Sequence, residues 1–438
     1  MTVQAANPAR AAASEALIEA APQGTPTRPT PVRTAGLEER DARLAEAIYR
    51  TAVQRWLTIN HLLDACLAKR TIEPRLRAVL AGGAAQLVFM DRLPAHAVVD
   101  TTVEQAKAWV RRGAGNLANA VLRKVGEMVV ERRPDEPWEA SDNCIPWGGG
   151  HIKLSRQTML KPRQPARYLS IATSHHPRLV SAWLERFGRP RAVDLLLHNL
   201  QTPPTIVHAP GAERGLPHAT PPFRVWDEDH RSLAEFLGRS HDRWVQDPSA
   251  FAVVDATRRL ADELRGGLIV DFCAGRGTKT RGLAVAHPEA RIVATDIHTE
   301  RLESLKAAGR SMSGVEVVEP ARLAGLRGEA DLVLLDVPCT NSGVLARRPE
   351  ARYRFSLRAV DSVVATQRAI LADAGELLAA GGRLLYATCS LEPAENDEQV
   401  EWAMERFGLE LIDGAQRTPS GAGTTYQDGS YFALLRRR

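Results

Sequence analysis

The chain has 438 residues, of which 44% are hydrophobic and 25% charged, with 57 Lys and Arg against 52 Asp and Glu. This length and composition predict a globular protein of two or three domains. The sequence has nothing near the roughly 18 consecutive apolar residues of a membrane span, and no apolar signal core at its N-terminus. We therefore expect neither a membrane protein nor a secreted one. The net charge of +5 is only a mild sign of a polyanionic partner.

The five cysteines are far apart and never occur at Cys-x-x-Cys spacing. Neither a disulfide framework nor a zinc cage is indicated, so no metal site is predicted. This usage favours a reducing compartment, and we predict a cytoplasmic protein. The cysteines are Cys66, Cys144, Cys273, Cys339 and Cys389.

The N-terminal third divides into two textures. Residues 1–36 are rich in Ala, Pro and Thr and predict a disordered tail, because they contain few large apolar side chains to offset the entropy of ordering. Residues 37–126 have apolar side chains at helical spacing, such as Leu44, Ile48 and Ala52, and predict a helical bundle. The frequent Lys and Arg residues here are either a solvated helix surface or an RNA-facing patch.

Two runs in this bundle resemble a known domain. They are Ala-Ala-Gln-Leu-Val-Phe-Met-Asp-Arg-Leu-Pro-Ala-His-Ala at 84–97 and Asn-Ala-Val-Leu-Arg at 119–123. In order and spacing they resemble the NusB-like helical RNA-binding domain at the N-terminus of bacterial ribosomal RNA cytosine methyltransferases. The resemblance implies that residues 37–126 bind RNA.

The middle of the chain has weaker patterns. Residues 127–170 lose helical periodicity and contain several prolines and three consecutive glycines, which predicts a linker. Residues 171–245 combine helical stretches (179–187, 193–200) with short strand-like runs (205–208, 223–226). They predict a small α+β subdomain.

From residue 246 to 438, strand and helix patterns alternate. Such alternation predicts an α/β domain, with a mostly parallel sheet covered by helices on both faces. Ligands of such sheets bind at the carboxyl ends of the strands. The predicted strands are 268–272, 291–295, 331–335, 383–388 and 431–435, and the predicted helices are 299–309, 357–380 and 394–407.

The first of these strands leads into a glycine turn. Gly275 and Gly277 let the backbone turn sharply and approach a ligand closely, although similar turns also join strands to helices without any ligand. Asp296 ends the next strand, about 20 residues later, where an acid can bind the two hydroxyls of a ribose. The alternative for Asp296 is an N-cap of the following helix.

Two further strands end close to a cysteine. One reads Leu-Leu-Asp336-Val-Pro-Cys339 and the other Tyr-Ala-Thr-Cys389-Ser. A single buried cysteine is often only packing, but two at the ligand edge of one sheet favour a nucleophilic thiol. Metal binding is the less favoured alternative, because no paired His or Cys spacing supports it.

These strand ends carry a second resemblance. Asp336-Val-Pro-Cys339, the run Arg-Arg-Pro-Glu-Ala-Arg-Tyr at 347–353, and Thr-Cys389-Ser followed by Glu395-Asn396 resemble the motifs of S-adenosylmethionine-dependent RNA cytosine carbon-5 methyltransferases of the RsmB (Sun) group. The resemblance implies a Rossmann-like class I methyltransferase domain with S-adenosylmethionine as cofactor. It also implies RNA as the partner, ribosomal RNA first and transfer RNA second, and we expect a monomer.

The resemblance assigns roles by motif position. Cys389 is implied to be the nucleophile, Cys339 to assist product release, and Asp336 to hold the cytosine edge and lie beside the cofactor. Asp296 is implied to bind the cofactor's ribose. The turn implied to face its methionine portion comprises Cys273, Ala274, Gly275, Arg276, Gly277, Thr278 and Lys279.

The chain also departs from the family pattern. The family turn reads Cys-Ala-Ala-Pro-Gly-Gly-Lys-Thr, whereas here Arg276 replaces Pro and Thr278 replaces Gly. Pro320 stands where an adenine-side acid is expected, beside Glu319, and His298 replaces a second acid. These changes keep open an alternative from another class, an RNA-binding ribosome-assembly factor that does not turn over. A small-molecule methyltransferase is disfavoured by the basic bundle and the cysteine pair.

Overall fold

The computed structural model describes residues 7–69, 71–155 and 157–438. The chain forms two compact units. Unit 1 comprises Met1–Gln201 and Leu345–Ser356, and unit 2 comprises Thr202–Val344 and Leu357–Arg438. Within the described ranges, no helix combines the length and apolarity that crossing a membrane requires.

Unit 1 is mainly helical. Its core is built from aliphatic side chains at helical spacing, including the fully buried Leu17, Ile48, Ile59 and Leu62. The helices are α1 (Pro8–Ala20), α2 (Glu39–Gln54), α3 (Trp56–Cys66), α4 (Pro74–Phe89), α5 (Ala95–Trp109), α6 (Ala114–Met128), α7 (Pro165–Thr173) and α8 (Pro177–His198).

The prediction of a disordered tail at 1–36 is wrong over α1. The Asn7 side chain caps this helix by accepting a hydrogen bond from Arg10 N at 3.1 Å, and Leu17 is fully buried. Alanine-rich sequence forms helices readily and lets them pack closely, which a count of large apolar residues misses. A Cβ on Gly82 of α4 would lie 3.2 Å from Leu17 Cδ1. Residues 1–6, which the prediction also covers, lie outside the described residues.

The prediction of a linker at 127–170 is also wrong. Strands β1 (Val129–Arg133), β2 (Cys144–Trp147) and β3 (Gly150–Leu154) form an antiparallel sheet of order β1-β3-β2, and α7 follows. Ile145 and Ile152 are fully buried. Gly150 lies so close to β1 that a Cβ on it would collide with the Arg133 carbonyl oxygen. This glycine is therefore required for the strand pairing, although the sequence pattern suggested that it interrupts regular secondary structure.

The predicted α+β subdomain at 171–245 is correct only in its second half. Helix α8, which bends at Gly188 (φ 71°), belongs to unit 1. The remainder forms a four-stranded antiparallel sheet of order β5-β6-β4-β7 within unit 2. Its elements are β4 (Thr205–His208), β5 (Leu216–Pro217), β6 (Phe223–Trp226), α9 (His230–Gly238) and β7 (Trp244–Val245).

The rest of unit 2 confirms the predicted α/β fold. A seven-stranded sheet has the order β10-β9-β8-β11-β12-β14-β13, parallel from β10 to β12 and antiparallel at β14 and β13. Its strands are β8 (Leu268–Asp271), β9 (Arg291–Ala294), β10 (Val315–Val317), β11 (Ala330–Asp336), β12 (Leu378–Thr388), β13 (Leu409–Arg417) and β14 (Ser430–Arg437).

The three helices predicted by range in this part of unit 2 are present, but the helix Pro248–Asp255 was not predicted and one predicted end is wrong. The predicted helix 357–380 ends at Gly375, and its last residues open β12 instead. Strands β10 and β13 were not predicted, because both lie at the edges of the sheet and have mostly half-exposed side chains. The helices are α10 (Pro248–Asp255), α11 (Thr278–Ala286), α12 (Thr299–Gly309), α13 (Leu357–Gly375) and α14 (Asp397–Phe407).

The strand order reverses between β8 and β11. From β8 the chain adds β9 and then β10 on one side, and returns to add β11 on the other. In open α/β sheets the crevice at such a reversal is the usual ligand site. The carboxyl ends of β8, β9, β11 and β12 therefore define where a functional site is expected.

Candidate active site

The glycine turn after β8 has the conformation that its glycines predict. Gly275 has φ 59° and Gly277 has φ 86°, both in the left-handed region. The left-handed φ of Gly277 favours glycine just before α11 begins at Thr278, and a Cβ there would also lie 2.8 Å from Leu305 Cδ1. A Cβ on Gly275 would meet no atom within 4 Å, so the space above this residue is open.

Asp296 closes this turn against the end of β9. Its buried carboxylate accepts hydrogen bonds from Gly275 N at 3.0 Å and from His298 N at 2.8 Å. A carboxylate has about four lone-pair positions, so room remains for two hydroxyl donors. The N-cap alternative is wrong, because His298 is the N-cap of α12.

Lys279 and Asp336 form an ion pair between α11 and the end of β11. The distance from Lys279 Nζ to Asp336 Oδ2 is 2.6 Å. Burial alone would lower the pKa of Lys279, but Asp336 outweighs it, with Cys389 and Asp271 adding to the effect, and the net pKa is raised. Lys279 is therefore an ammonium ion within electrostatic reach of the Cys389 sulfur.

Asp271 lies beneath the same turn and was not predicted as a site residue. Thr280 donates a hydrogen bond to its Oδ2 at 2.7 Å, while Oδ1 is buried without a partner among the described residues. Burial, reinforced by Asp336 and Asp296, raises the pKa of Asp271 to about 7 against the opposing effects of Thr280 and Lys279. Asp271 thus keeps a proton well above the pH at which an exposed aspartate loses it.

This shift predicts a pH-dependent stability. Between pH 3.8 and about 7 the unfolded chain has lost a proton that folded Asp271 retains. The free energy of unfolding therefore falls as pH rises through this window, by about 1.4 kcal/mol per pH unit for this group. Asp271→Asn should lack this contribution, so its melting temperature should gain on that of the wild type between pH 5 and 7. If the melting temperatures of the wild type and Asp271→Asn changed in parallel with pH, Asp271 would be ionised in the folded protein.

The two predicted cysteines meet. Cys339, three residues beyond β11, and Cys389, directly after β12, have their sulfur atoms 3.2 Å apart. The hydrogen bond with Cys389 and burial raise the pKa of Cys339 well above its ordinary value, and Cys389 and Glu395 add to this electrostatically. Cys339 is therefore a protonated thiol at neutral pH.

Glu395 joins the two segments that hold these cysteines. Its buried carboxylate accepts hydrogen bonds from Thr340 N at 2.7 Å, Thr340 Oγ1 at 2.5 Å and Ser390 Oγ at 2.8 Å. Asn396 adds a bond from its Nδ2 to Ser390 O at 2.9 Å. The residue after each cysteine is thereby fixed to one carboxylate, which holds the two thiols together.

The other predicted residues lie at the turn in different environments. Cys273 is half-buried, and burial, with the nearby Asp271, Asp336 and Asp296, raises the pKa of its thiol. Ala274 packs against the start of α12, whereas the Arg276 and Thr278 side chains are exposed. No atom lies within 4 Å of a Cβ built on Gly275, so neither Arg276 nor Thr278 fills the space above that residue. Among the described residues, no cluster of three His, Cys, Asp or Glu side chains could hold a metal.

Two family models match the chain. The NusB family matches residues 7–127, and a family described as 16S rRNA methyltransferase RsmB/F matches residues 260–430. The ribosomal RNA small subunit methyltransferase B of Serratia proteamaculans is 30% identical over 380 residues, which cover 82% of this chain and 82% of that protein. The chain belongs to the RsmB/F family. It is an S-adenosylmethionine-dependent RNA methyltransferase.

Other comparisons agree with this RsmB/F assignment. The corresponding methyltransferase of Xanthomonas campestris is 29% identical over 428 residues, covering 91% of this chain and 89% of that protein. The crystal structure of PH0851 has a TM-score of 0.68 at 18% identity and covers 92% of both chains. A methyltransferase homologue from Pyrococcus horikoshii has a TM-score of 0.51 at 21% identity, covering 63% of this chain and 99% of that one. At such identities these structures establish the fold.

The site of this RsmB/F enzyme fits its cofactor. Open space lies above Gly275, and Asp296 has free lone-pair positions beside it. Ile297, next to Asp296, is an apolar side chain that is 75% exposed, a feature that sequence reasoning missed. Glu319, which lies next to Pro320 at the place expected for the adenine-side acid, is exposed and paired with Lys306 at 2.7 Å.

Proposed function

We propose that this protein methylates carbon 5 of a cytosine in small-subunit ribosomal RNA through a covalent bond between Cys389 Sγ and carbon 6. The observation that supports this most strongly is the 3.2 Å contact between the Cys339 and Cys389 sulfur atoms. Two thiols in contact, beside an ammonium–carboxylate pair, suit a reaction that must add a sulfur atom and later expel it.

The cysteine pair addresses the weakness of cytosine as a nucleophile. When the Cys389 thiolate bonds to carbon 6, the ring becomes an enamine whose carbon 5 can attack an electrophile. Bound S-adenosylmethionine supplies that electrophile as an activated methyl group. Loss of the carbon-5 proton to water then restores the double bond as the bond from carbon 6 to Cys389 breaks. The Cys389 sulfur therefore carries negative charge before the attack and again after the expulsion.

Cys339 is suited to the second half of this cycle. Its raised pKa keeps it protonated, so it is a poor nucleophile itself. A thiol 3.2 Å from Cys389 can donate a hydrogen bond to the departing sulfur and stabilise it as a leaving group. This division of roles agrees with the assignment that the sequence motifs imply.

Lys279 and Asp336 are suited to the cytosine edge. Thiolate attack increases the negative charge on the ring at nitrogen 3, and the exocyclic amino group is a hydrogen-bond donor. We assign Asp336 to accept from that amino group, while the Lys279 ammonium, 2.6 Å from Asp336, supplies positive charge nearby. The same pair borders the turn 273–279, which we assign to the methionine portion of the cofactor.

Asp296 is assigned to the cofactor's ribose, which gives a measurable prediction. Asp296→Ala should weaken S-adenosylmethionine binding by roughly 1–3 kcal/mol, because two hydroxyl groups lose a charged acceptor. Isothermal titration calorimetry on the purified proteins measures this directly. Glu319→Ala is the matched control and should change affinity by less than about two-fold, since that carboxylate is exposed and paired with Lys306. Equal affinities for wild type and Asp296→Ala would limit Asp296 to closing the turn.

The proposed reaction is tested on RNA. Purified protein, labelled S-adenosylmethionine and small-subunit ribosomal RNA, free or as assembled subunits, should yield labelled RNA whose modified position resists bisulfite conversion. RNA from a deletion strain should lack the modification at that one position, whereas RNA from its parent should carry it. RNA binding without methyl transfer on any of these substrates would favour the assembly-factor alternative instead.

A further inference from the structure

The two loops that carry the paired thiols are packed closely against each other. Gly343 N donates a hydrogen bond to Cys389 O at 2.9 Å, and a Cβ on Gly343 would lie only 2.6 Å from that oxygen. Leu391 N donates to Ser342 Oγ at 2.8 Å, and the Glu395 carboxylate bridges the same two loops. The loops after β11 and β12 are therefore fixed side by side, independently of the contact between the sulfur atoms.

This arrangement is close to that of a disulfide. The sulfur atoms of Cys339 and Cys389 are 3.2 Å apart, whereas bonded sulfur atoms are about 2.0 Å apart, so they need to approach each other by roughly 1.2 Å. Both side chains are partly exposed, which makes them accessible to a small oxidant. Because the proposed reaction uses both thiols, a bond between them would block it.

We propose that Cys339 and Cys389 form a reversible redox switch, in which a peroxide converts the two thiols to a disulfide that stops methyl transfer and a small thiol restores them. The inference rests on the proposed function for the activity that is switched off. The bond between the two sulfur atoms itself requires neither RNA nor cofactor.

The oxidation is balanced in two steps. The Cys389 thiolate attacks hydrogen peroxide, the O–O bond breaks, and the products are a sulfenic acid on Cys389 and a hydroxide ion. The Cys339 sulfur then displaces the hydroxyl group: the S–S bond forms, the S–O bond breaks, and the Cys339 proton leaves with the hydroxyl as water. Two molecules of a small thiol reverse the process by becoming a disulfide themselves and returning a proton to each cysteine.

The environment of Cys339 suits the second step. The hydrogen bond with Cys389 and burial raise the pKa of Cys339, and the negative charges of Cys389 and Glu395 add to this. A sulfenic acid on Cys389 carries no such charge, so its formation makes the Cys339 proton easier to release. Cys339 thus becomes a better nucleophile after Cys389 has been oxidised, when the disulfide is to be formed.

Peroxide treatment of the reduced full-length protein tests the switch. Peptide mass spectrometry without reductant should find the Cys339 and Cys389 peptides linked, with a mass lower by two hydrogen atoms. Methyl transfer should fall at least about ten-fold and return after dithiothreitol. Calorimetry should show that S-adenosylmethionine still binds, because the disulfide leaves Asp296 and the glycine turn in place. Irreversible oxidation of Cys389 without the linked peptide, or full activity of the linked protein, would overturn the proposal.

The variant Cys339→Ala tests the protective effect of the second thiol without an activity measurement. Its Cys389 has no partner for a disulfide, so the same peroxide treatment should carry it on to the sulfinic acid, which dithiothreitol does not reduce. Cys144→Ala is the matched control and should form the linked peptide as the wild type does. Equal accumulation of sulfinic acid at Cys389 in wild type and Cys339→Ala would contradict the switch. A reversible disulfide in a protein that methylates no RNA would overturn the proposed function and leave the redox pair standing.

Discussion

Cys389→Ala is expected to lower methyl transfer by roughly 10³-fold or more, the usual cost of removing a covalent nucleophile. It should also leave no covalent RNA adduct. Cys339→Ala is expected to form the bond between Cys389 and carbon 6 but to break it slowly. Its loss removes the thiol that lies 3.2 Å from Cys389 and can donate to the departing sulfur. A protein–RNA complex stable to denaturant should accumulate, with the methyl group already transferred.

Denaturing gels with labelled RNA and, separately, labelled S-adenosylmethionine distinguish these states. The adduct of Cys339→Ala should carry both labels, and the double variant should carry neither. Cys144→Ala, whose thiol lies in unit 1 on β2, is the control and should behave as wild type. An adduct in Cys389→Ala that vanishes in Cys339→Ala would exchange the two roles. Full activity in both single variants would return these cysteines to simple packing.

The meeting of these two thiols could be predicted from the sequence for a physical reason. Both follow buried apolar runs, and the carboxyl ends of parallel strands share one edge of the sheet. The pairing of β11 with β12, which aligns Asp336 with Ala387, then brings Cys339 and Cys389 together. The sequence alone predicts that the two cysteines share an edge of the sheet. It does not provide the strand register, so it could not predict the 3.2 Å distance between their sulfur atoms.

The groups around the thiols depended on contacts that leave no local pattern. Glu395 was part of a recognised motif, but its bonds to Thr340 and Ser390 follow from the packing of the loops after β11 and β12. The raised pKa of Asp271 arises first from burial, which a strand-ending acid does not reveal by itself. Asn341 accepts a hydrogen bond from Cys389 Sγ at 3.4 Å. The only sign of its position in the sequence is that it lies in a polar run after Cys339 that is typical of a turn.

Some predicted domain boundaries were wrong because composition was interpreted as disorder, or because residues adjacent in the sequence were assumed to belong to the same domain. Leu345–Ser356 belongs to unit 1 although its chain neighbours on both sides belong to unit 2. The fully buried Arg352 explains this assignment, since its guanidinium donates to Gln54 O at 3.0 Å and Asn199 O at 2.8 Å. A motif recognised only as part of the catalytic signature therefore has a structural role in the helical unit.

Asp336→Ala is expected to reduce the rate of methyl transfer by roughly 10²–10³-fold, in the range found when a group that stabilises developing charge is removed. The variant loses the acceptor for the cytosine amino group. It also leaves Lys279 without the partner that outweighs burial in setting its pKa, so the pKa of Lys279 should fall and its positive charge should be lost at lower pH. The covalent adduct should not accumulate, because attack on carbon 6 itself is slowed.

Single-turnover rates measured from pH 6 to pH 9, beside calorimetric binding of S-adenosylmethionine, separate this effect from loss of the cofactor. We expect a large fall in rate with a smaller change in cofactor affinity. As pH is raised, the rate of the variant should begin to decline at a lower pH than the rate of the wild type. Glu316→Gln is the matched control: it breaks an exposed ion pair with Arg291 of 2.9 Å on the same sheet and should leave the rate within about two-fold. A wild-type rate in Asp336→Ala would remove Asp336 from the reaction and leave the ion pair with Lys279 a structural one.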